Sequence, residues 1–141
     1  MAAQAKRILL VEDDRFLRRA CAASLRQRGW TVLTATDGEE GLRTAQTEPI
    51  DLILLDMMMP RLHGLEVMRA LKAAENTRAI PVLVLSNSSR EQDVQEVLRL
   101  GAVGYLVKAN LSLQELCNRV CQLLEENTHG RAAEAHPTCR G

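Results

Sequence analysis

The sequence has few aromatic residues, no net charge and no long apolar run. Its 141 residues include one Phe, one Trp and one Tyr, which leaves little material for stacking on nucleic-acid bases. Lys and Arg together number 18, as do Asp and Glu, and this balance argues against a nucleic-acid-binding surface. No apolar stretch reaches the roughly 20 residues of a membrane span. We therefore expect neither a nucleic-acid partner nor a membrane partner.

The chain also lacks a secretory signal pattern and paired cysteine motifs. Met1 to Lys6 precede no apolar segment with a small-residue cleavage site, so we expect a cytoplasmic protein. None of the four cysteines forms a CxxC pair, which argues against a zinc or redox framework. Cys117 and Cys121 lie four residues apart on one predicted helix face. Packing is the preferred interpretation of this pair, and a two-thiolate metal site is the alternative.

Short apolar runs alternate with helical patterns along most of the chain. The apolar runs predict buried strands, and the segments between them have the apolar spacing and capping residues of helices. We expect strands at 7–11, 31–35, 50–55, 81–85 and 103–107. We expect helices at 15–27, 38–47, 63–74, 90–100 and 112–126. Ser112 with Glu115 fits a capping box at the start of the last helix.

This alternation predicts an α/β fold with right-handed crossovers and a parallel five-stranded sheet covered on both faces. A chain of this length is expected to form one domain, which we place at residues 1–126. The apolar pattern stops at residue 127, and no large apolar residue follows. We therefore expect a disordered C-terminal tail at 127–141.

The polar residues of most interest fall at the ends of the predicted strands. Glu12 and Asp13 follow the first, Asp56 the third, Ser86 the fourth and Lys108 the fifth. In an open α/β sheet the ligand crevice lies at the carboxyl ends of the strands. Segments that are far apart in the sequence are therefore expected to meet in one pocket.

These residue types indicate phosphoryl chemistry at a metal site. Clustered carboxylates away from water are costly unless a cation neutralises them, and Mg²⁺ favours carboxylates with water and phosphate oxygens. The carboxylate of Asp56 can attack phosphorus to form an acyl phosphate. Lys108 and Ser86 can neutralise the transferring oxygens.

Four motifs in order resemble those of response-regulator receiver domains over residues 6–126. They are Leu9-Leu10-Val11-Glu12-Asp13-Asp14, Asp56-Met57-Met58-Met59-Pro60 with Gly64, Pro81 to Ser86, and Gly101 to Lys108. The resemblance implies a flavodoxin-like, doubly wound (βα)5 fold with strand order 2-1-3-4-5. It also implies a role in two-component signalling.

The resemblance assigns a role to each of the acids. Asp56 would be the phosphoacceptor. Glu12 and Asp13 would hold Mg²⁺ together with Asp56, and the backbone carbonyl of Met58 would complete the protein's share of the coordination. Asp14 lies one position past the matching pair, and we assign it to the N-cap of the first helix.

The resemblance also assigns the switch and the partners. Ser86 would be the switch hydroxyl, Tyr105 the switch aromatic and Lys108 the phosphate-binding lysine. A sensor histidine kinase or a histidine phosphotransfer protein would be the donor. An output protein would dock on the face formed by helix 4, strand 5 and helix 5. The chain would be a single-domain response regulator that assists its own phosphorylation and dephosphorylation but is not a turnover enzyme.

Three alternatives stay open at this point. The fold could serve as an adaptor that needs no phosphorylation, although the intact acids, hydroxyl and lysine argue against that. It could be an aspartyl-phosphate hydrolase, which usually has a second acid where Met58 stands. The chain could also be one domain of a larger regulator.

The sequence departs from the family pattern after the lysine and after the switch hydroxyl. Ala109 follows Lys108 where the family usually has proline, so we predict a trans peptide bond or a remodelled loop, because a non-proline cis bond costs about 2.5–4 kcal/mol. Asn87 is predicted to narrow the route to the acyl phosphate. The apolar Met58 side chain cannot orient a hydrolytic water, which favours a longer-lived phosphorylated state.

Two further features have ordinary interpretations. His63 is a candidate phosphoryl carrier, but a surface or packing role is favoured because it lies in a loop that opens a helix. The cluster Arg15, Arg18 and Arg19 predicts a solvated face on the first helix.

Overall fold

The computed structural model describes residues 5–57, 63–87 and 90–127. Within them, five parallel strands form one sheet in the order β2-β1-β3-β4-β5. The strands are β1 (Arg7–Val11), β2 (Thr31–Ala35), β3 (Leu52–Asp56), β4 (Val82–Ser86) and β5 (Gly104–Val107). The helices are α1 (Arg15–Gln27), α2 (Gly38–Thr47), α3 (Gly64–Ala73), α4 (Glu91–Arg99) and α5 (Leu113–Asn127), with a short 3-10 helix at Lys108–Asn110. The predicted doubly wound fold and its strand order are confirmed.

The observed strands begin one or two residues later than the apolar runs in three cases. Just before β3, Asp51 bonds to Arg7 twice: its backbone N donates to the Arg7 carbonyl oxygen at 2.7 Å, and its Oδ2 accepts from the Arg7 backbone N at 2.7 Å. The regular pairing of β1 with β3 begins one residue later, at Leu52. Asp56 and Ser86 were predicted to follow their strands, but each is the last residue of its strand. Helix α5 continues to Asn127, one residue into the predicted tail, and residues 128–141 lie outside the described part.

The predicted helix caps are formed where the structure describes them. Asp14 Oδ1 accepts from the backbone N of Leu17 at 3.0 Å, which confirms Asp14 as the N-cap of α1. Ser112 and Glu115 exchange reciprocal bonds at the start of α5, both close to 3 Å, as a capping box requires. These bonds fix the points at which α1 and α5 leave the sheet edge.

The sheet separates two apolar layers. One layer lies beneath α1 and α5, and its members include Ile8, Leu10, Cys21, Leu25, Leu54, Leu85, Leu116, Cys117 and Val120. The other lies beneath α2, α3 and α4, and its members include Leu9, Val11, Ala45, Ile53, Leu55, Val67, Met68, Leu71, Val84 and Val97. Alternate residues of each central strand enter opposite layers, which explains why β1, β3 and β4 are almost continuously apolar.

The start of α3 lies against the end of β3. A Cβ added at Gly64 would lie 2.7 Å from the Met57 Cα, so only glycine permits this approach without a shift of the backbone. The Gly64 N also donates to the Met57 carbonyl oxygen at 3.2 Å. This contact brings the α3 N-terminus beside Asp56. Among the described residues, no helix has both the length and the apolar character needed to cross a membrane.

Candidate functional site

Three carboxylates meet at the carboxyl edge of the sheet. Asp56 ends β3 and is 2% exposed, Glu12 follows β1 and is 0% exposed, and Asp13 is exposed at the rim. One carboxylate oxygen from each lies within 4.8 Å of the others. Strands β1 and β3 are neighbours, so their ends deliver these acids side by side as predicted.

Lys108 reaches into this cluster from the end of β5. Its Nζ lies 3.0 Å from Glu12 Oε1 and 3.1 Å from Asp56 Oδ1. No cis peptide bond occurs among the described residues, so the Lys108–Ala109 bond is trans, as the missing proline predicts. The 3-10 helix at Lys108–Asn110 directs the lysine inward without the family's proline. The departure at Ala109 therefore does not prevent the lysine from reaching the acids.

The cluster shifts the pKa of Asp56, Asp13 and Lys108. Burial, followed by the charge of Glu12, raises the pKa of Asp56, and Lys108 opposes this only in part. Burial and the nearby Asp56 also raise the pKa of Asp13. Burial alone would lower the pKa of Lys108, but the carboxylates of Glu12 and Asp56 outweigh it and raise that pKa above its ordinary value. One ammonium is therefore too little positive charge for three acids.

The donor set fits a hard divalent cation. Glu12 Oε1 is buried and accepts no hydrogen bond of good geometry from the described residues, although the Lys108 ammonium lies close to it. All three side chains offer oxygen, the atom that Mg²⁺ prefers at near-octahedral sites completed by water. A cation beside Glu12, Asp13 and Asp56 would neutralise carboxylates that are costly to keep charged when they are clustered away from water. Met58, the predicted backbone ligand, lies outside the described residues.

Arg18 holds the turn between β1 and α1 through hydrogen bonds. Arg18 was predicted to lie on a solvated face, but its Nη1 donates to the carbonyl oxygens of Glu12 at 3.0 Å and Asp13 at 3.3 Å. The prediction is wrong for half-buried Arg18 and confirmed for exposed Arg15 and Arg19. Its position one helical turn beyond the Asp14 N-cap was the available signal, because helical side chains point back toward the N-terminus.

The switch candidates lie on the other side of Asp56. Ser86 ends β4 and is 3% exposed, and the pairing of Asp56 with Leu85 places it at the same edge of the sheet. A cavity of about 660 Å³ opens beside it, lined in part by Ser86, Asn87, Val97 and half-buried Tyr105. The structure thus brings both predicted switch residues to one cavity. Asn87 is exposed at its wall, and its predicted effect on access stays a prediction.

The remaining candidates from the sequence, His63 and the pair Cys117 and Cys121, lie outside the carboxylate cluster. His63 is exposed and precedes α3, where its backbone N donates to Glu66 Oε1 at 3.0 Å. This agrees with the favoured surface role. Cys117 is 2% exposed and its thiol is free, which agrees with the packing interpretation. Cys121 is 3% exposed but is disulfide-bonded, which neither interpretation of the pair predicted.

The fold and this constellation agree with the comparison with known proteins. The family model described as the response regulator receiver domain matches residues 8–121. The chain therefore belongs to the receiver domains of two-component response regulators. Receiver domains are signalling modules, and histidine kinases and output domains are their general partners.

Solved structures and curated sequences show the same relationship. A CheY-like receiver domain from Methanospirillum hungatei JF-1 is 23% identical with a TM-score of 0.83, covering 90% of this chain and 99% of its own, which supports the fold. The receiver domain of a sensor histidine kinase from Pseudomonas aeruginosa PAO1 is 31% identical with a TM-score of 0.75, covering 87% of this chain and 97% of its own. That structure has a magnesium ion coordinated in its active site cleft.

The curated relatives are longer than this chain. The alkaline phosphatase synthesis transcriptional regulatory protein PhoP from Bacillus subtilis is 38% identical over 122 residues, which are 86% of this chain and 50% of that protein. A gliding motility regulatory protein from Myxococcus xanthus is 37% identical, and the matched part is 16% of it. The chain thus spans half the length of such relatives or less, and their further activities do not transfer to it.

Proposed function

We propose that Asp56 accepts a phosphoryl group from a phosphohistidine and that the chain works as a single-domain response regulator in a two-component phosphorelay. The observation that carries the proposal is the convergence of Glu12, Asp13 and Lys108 on one buried carboxylate. A solitary acid at a strand end would be a cap. An acid held between two other carboxylates and an ammonium is equipped for group transfer to phosphorus.

The proposed transfer is a displacement at phosphorus that needs only the phosphorylated donor and Asp56. A carboxylate oxygen of Asp56 attacks phosphorus, a P–O bond forms, and the P–N bond to the donor's imidazole breaks. The bonding electrons stay with the imidazole nitrogen, which leaves as a neutral ring once protonated. The product is an acyl phosphate on Asp56. A small acyl phosphate can act as donor in the same way, with carboxylate as the leaving group.

The neighbouring side chains supply positive charge and orientation. Glu12 and Asp13, with Asp56 and the backbone carbonyl of Met58, would hold Mg²⁺. When bound, the ion neutralises charge on the transferring phosphoryl oxygens. The Lys108 ammonium already lies 3.1 Å from Asp56 Oδ1, so it can contact a phosphoryl oxygen added there with little movement. The same groups support the module's own dephosphorylation.

The switch runs through Ser86 and Tyr105. New phosphoryl oxygens on Asp56 would draw the Ser86 hydroxyl toward them, and the Tyr105 ring would move into the cavity that the two residues share. This is a shift between two packings of one protein. Its effect would emerge at the face of α4, β5 and α5, which we propose as the docking face for the output protein.

The donor protein is proposed to dock beside α1. Phe16 lies at the start of α1 and is 84% exposed, with exposed Arg15 and Arg19 beside it. A large exposed apolar side chain rimmed by charge is typical of a protein contact. We expect Phe16→Ala to slow transfer from a cognate phosphohistidine donor and to leave transfer from acetyl phosphate unchanged. Equal slowing from both donors would argue against this docking site.

The direct test is phosphorylation by acetyl phosphate, followed by intact mass. Wild-type protein should gain the mass of one phosphoryl group when MgCl2 is present and should lose that gain with a chelator. Asp56→Asn should gain none. Asp51→Asn is the matched control, because Asp51 immediately precedes β3, at the end away from Asp56, and its replacement keeps an oxygen for the Arg7 N.

Three outcomes would contradict the proposal in different ways. A phosphoryl mass gain in Asp56→Asn would show that another residue is the acceptor. A wild-type protein that accepts no phosphoryl group from acetyl phosphate or a cognate kinase would favour an adaptor that needs no phosphorylation. Steady turnover of p-nitrophenyl phosphate would favour a hydrolase.

A further inference from the structure

Arg18 is bonded to the backbone of the two residues whose carboxylates form half of the proposed metal site. Its Nη1 donates to the carbonyl oxygens of both Glu12 and Asp13. Arg18 is the fourth residue of α1, and its side chain folds back over the helix N-terminus, as helical side chains do. A single guanidinium therefore connects α1 to the turn that carries the acids.

No other donor among the described residues reaches these two carbonyl oxygens. The rest of the turn is held through different groups: the Glu12 N donates to the Ala35 carbonyl at 3.0 Å, and the Asp14 N donates to Glu12 Oε2 at 3.0 Å. Glu12 is thus fixed by several bonds. Among the described residues, Arg18 is the one donor to the Asp13 carbonyl oxygen, and the Asp13 side chain stands exposed at the rim.

The acids exert a force that this bond opposes. One carboxylate oxygen of Asp13 lies within 4.8 Å of one from Asp56, and two like charges this close repel one another. An exposed side chain under repulsion would turn toward water if its backbone were free to move. Holding the backbone in place keeps the Asp13 carboxylate near Asp56 before any cation arrives, and pre-organisation of this kind raises affinity.

We propose that Arg18 is a positioning residue for divalent-cation binding: it sets the backbone of Glu12 and Asp13 so that their carboxylates face one ion. This inference rests on the Mg²⁺ site of the proposed function. Arg18 acts through the two acids and does not touch the ion itself. Partners that orient metal ligands in this way typically change metal affinity 10–100-fold when they are removed.

The hydrogen bonds of Arg18 are expected to strengthen Mg²⁺ binding, whereas its positive charge is expected to weaken it. The two contributions can therefore be told apart by experiment. A cation near the site repels Mg²⁺, so loss of charge alone would tighten binding slightly. Arg19 is exposed and carries the same charge on the same helix. Arg19→Met therefore removes an equal charge without touching the turn, and Arg18→Met keeps the apolar stem while removing the donors.

The first readout is Mg²⁺ affinity of the full chain, measured by calorimetric titration with MgCl2. Arg18→Met should bind about tenfold more weakly than wild type. Arg18→Lys, which retains a donor but not the planar fork, should recover to within about threefold. Arg19→Met should bind as wild type or slightly more tightly. The second readout, hydrogen exchange in the metal-free protein, should show faster exchange at the Asp14 and Leu17 amides in Arg18→Met only.

The outcomes separate this inference from the proposed function. If wild-type protein bound no Mg²⁺, the proposed metal site would fail and the role of Arg18 with it. If wild type bound Mg²⁺ and Arg18→Met bound it as tightly, with unchanged exchange in the turn, only the positioning role would be overturned. An equal change in Arg18→Met and Arg19→Met would assign the effect to charge and would also overturn it.

Discussion

Near the proposed phosphorylation site, the helix α1 on one face of the sheet buries more side chains than the helix α4 on the other face. On one side, α1 buries Cys21, Ala22 and Leu25, and α5 is fixed by a capping box. On the other side, the nine-residue α4 buries only Val97, and it borders the cavity of about 660 Å³. The central strands supply apolar side chains to both layers, so the contrast comes from the helices and turns.

This difference suits the two tasks that we propose for the chain, phosphoryl transfer and conformational switching. The acids and their supporting turn belong to the well-secured α1 side, where fixed geometry favours cation binding and group transfer. Ser86 and Tyr105 open onto the side where α4 has few buried contacts. Elements with few buried contacts are the ones that open at low free-energy cost. The structure therefore places the residues of the proposed chemistry and those of the proposed switch on opposite sides of Asp56.

The largest expected effect concerns the charge of the acid cluster. Folding raises the pKa of Asp13 and Asp56 above their ordinary value of 3.8. The folded protein therefore binds these protons more tightly than the unfolded chain does. The stabilisation from this is complete below pH 3.8 and is lost as pH rises through the raised pKa of each folded-state carboxyl. Metal-free protein should therefore be strained at neutral pH. Mg²⁺ at 100 times its Kd should stabilise wild type by about 2.7 kcal/mol, as measured by thermal melting.

Asp13→Asn provides the matched variant for this effect. It removes one repelling charge, so the metal-free variant should melt at a higher temperature than wild type at neutral pH and should gain little from Mg²⁺. The difference between the two proteins should shrink as pH falls toward 4. A variant that melts below wild type without metal would show that the acids do not repel one another as the structure indicates.

A matched pair of valines tests the packing contrast directly. Val120 on α5 is 0% exposed and Val97 on α4 is 1% exposed, but only Val97 borders the cavity. Val120→Ala should lower the free energy of unfolding by roughly 2 kcal/mol, because its surroundings cannot relax. Val97→Ala should cost about half of that, because some of its neighbours are already missing. Urea unfolding at neutral pH measures both, and equal costs would remove the contrast.

Alkaline pH tests the α1 side through Cys21. Burial, with smaller effects from Glu12 and Cys117, raises the pKa of this thiol from 9.0 to about 11. The stability from keeping it protonated is complete below pH 9 and is lost as pH rises toward 11. At pH 10 wild type should have lost about 1 kcal/mol relative to neutral pH for this reason. Cys21→Ala should lose less over the same range in denaturant titrations. Parallel pH profiles would show that the thiol is not a source of the loss.

The smallest effect concerns the α1 cap. Asp14→Ala removes the acceptor for the Leu17 N and should cost about 1 kcal/mol of stability. Asp14→Ser should recover most of it, since serine also caps well. Thermal melting of the metal-free proteins measures the cost. An unchanged melting temperature in Asp14→Ala would mean that Arg18 and the surrounding bonds hold the turn without the cap.

Local signals in the sequence predicted most of the fold and the membership of the site. Period and capping residues located the elements to within about two residues, and Asp14 and Ser112 formed the caps they predicted. The positions of Glu12, Asp56 and Lys108 at strand ends were enough to expect their convergence. These signals succeed because each depends on residues that are close together in the chain.

Other features depended on contacts that no local pattern records. The charge cluster on α1 predicted solvent for all three arginines, but Arg18 turns back to two carbonyl oxygens outside its own helix. The loop after Lys108 was ambiguous without proline, and the structure resolves it as a trans 3-10 turn. The cavity beside Ser86 and Tyr105 requires the relative positions of β4, β5 and α4.

The sequence by itself determined which residues form strands and helices, because apolar period and helix caps act over a few neighbouring residues. It also determined that acids stand at strand ends. Only the tertiary structure decided how closely Glu12, Asp56 and Lys108 approach and which arginine secures their turn. It decided as well that α4 leaves space beside Ser86 and Tyr105. Distances across a sheet and the volume beneath a helix arise from packing of segments far apart in the chain, where local propensity has no influence.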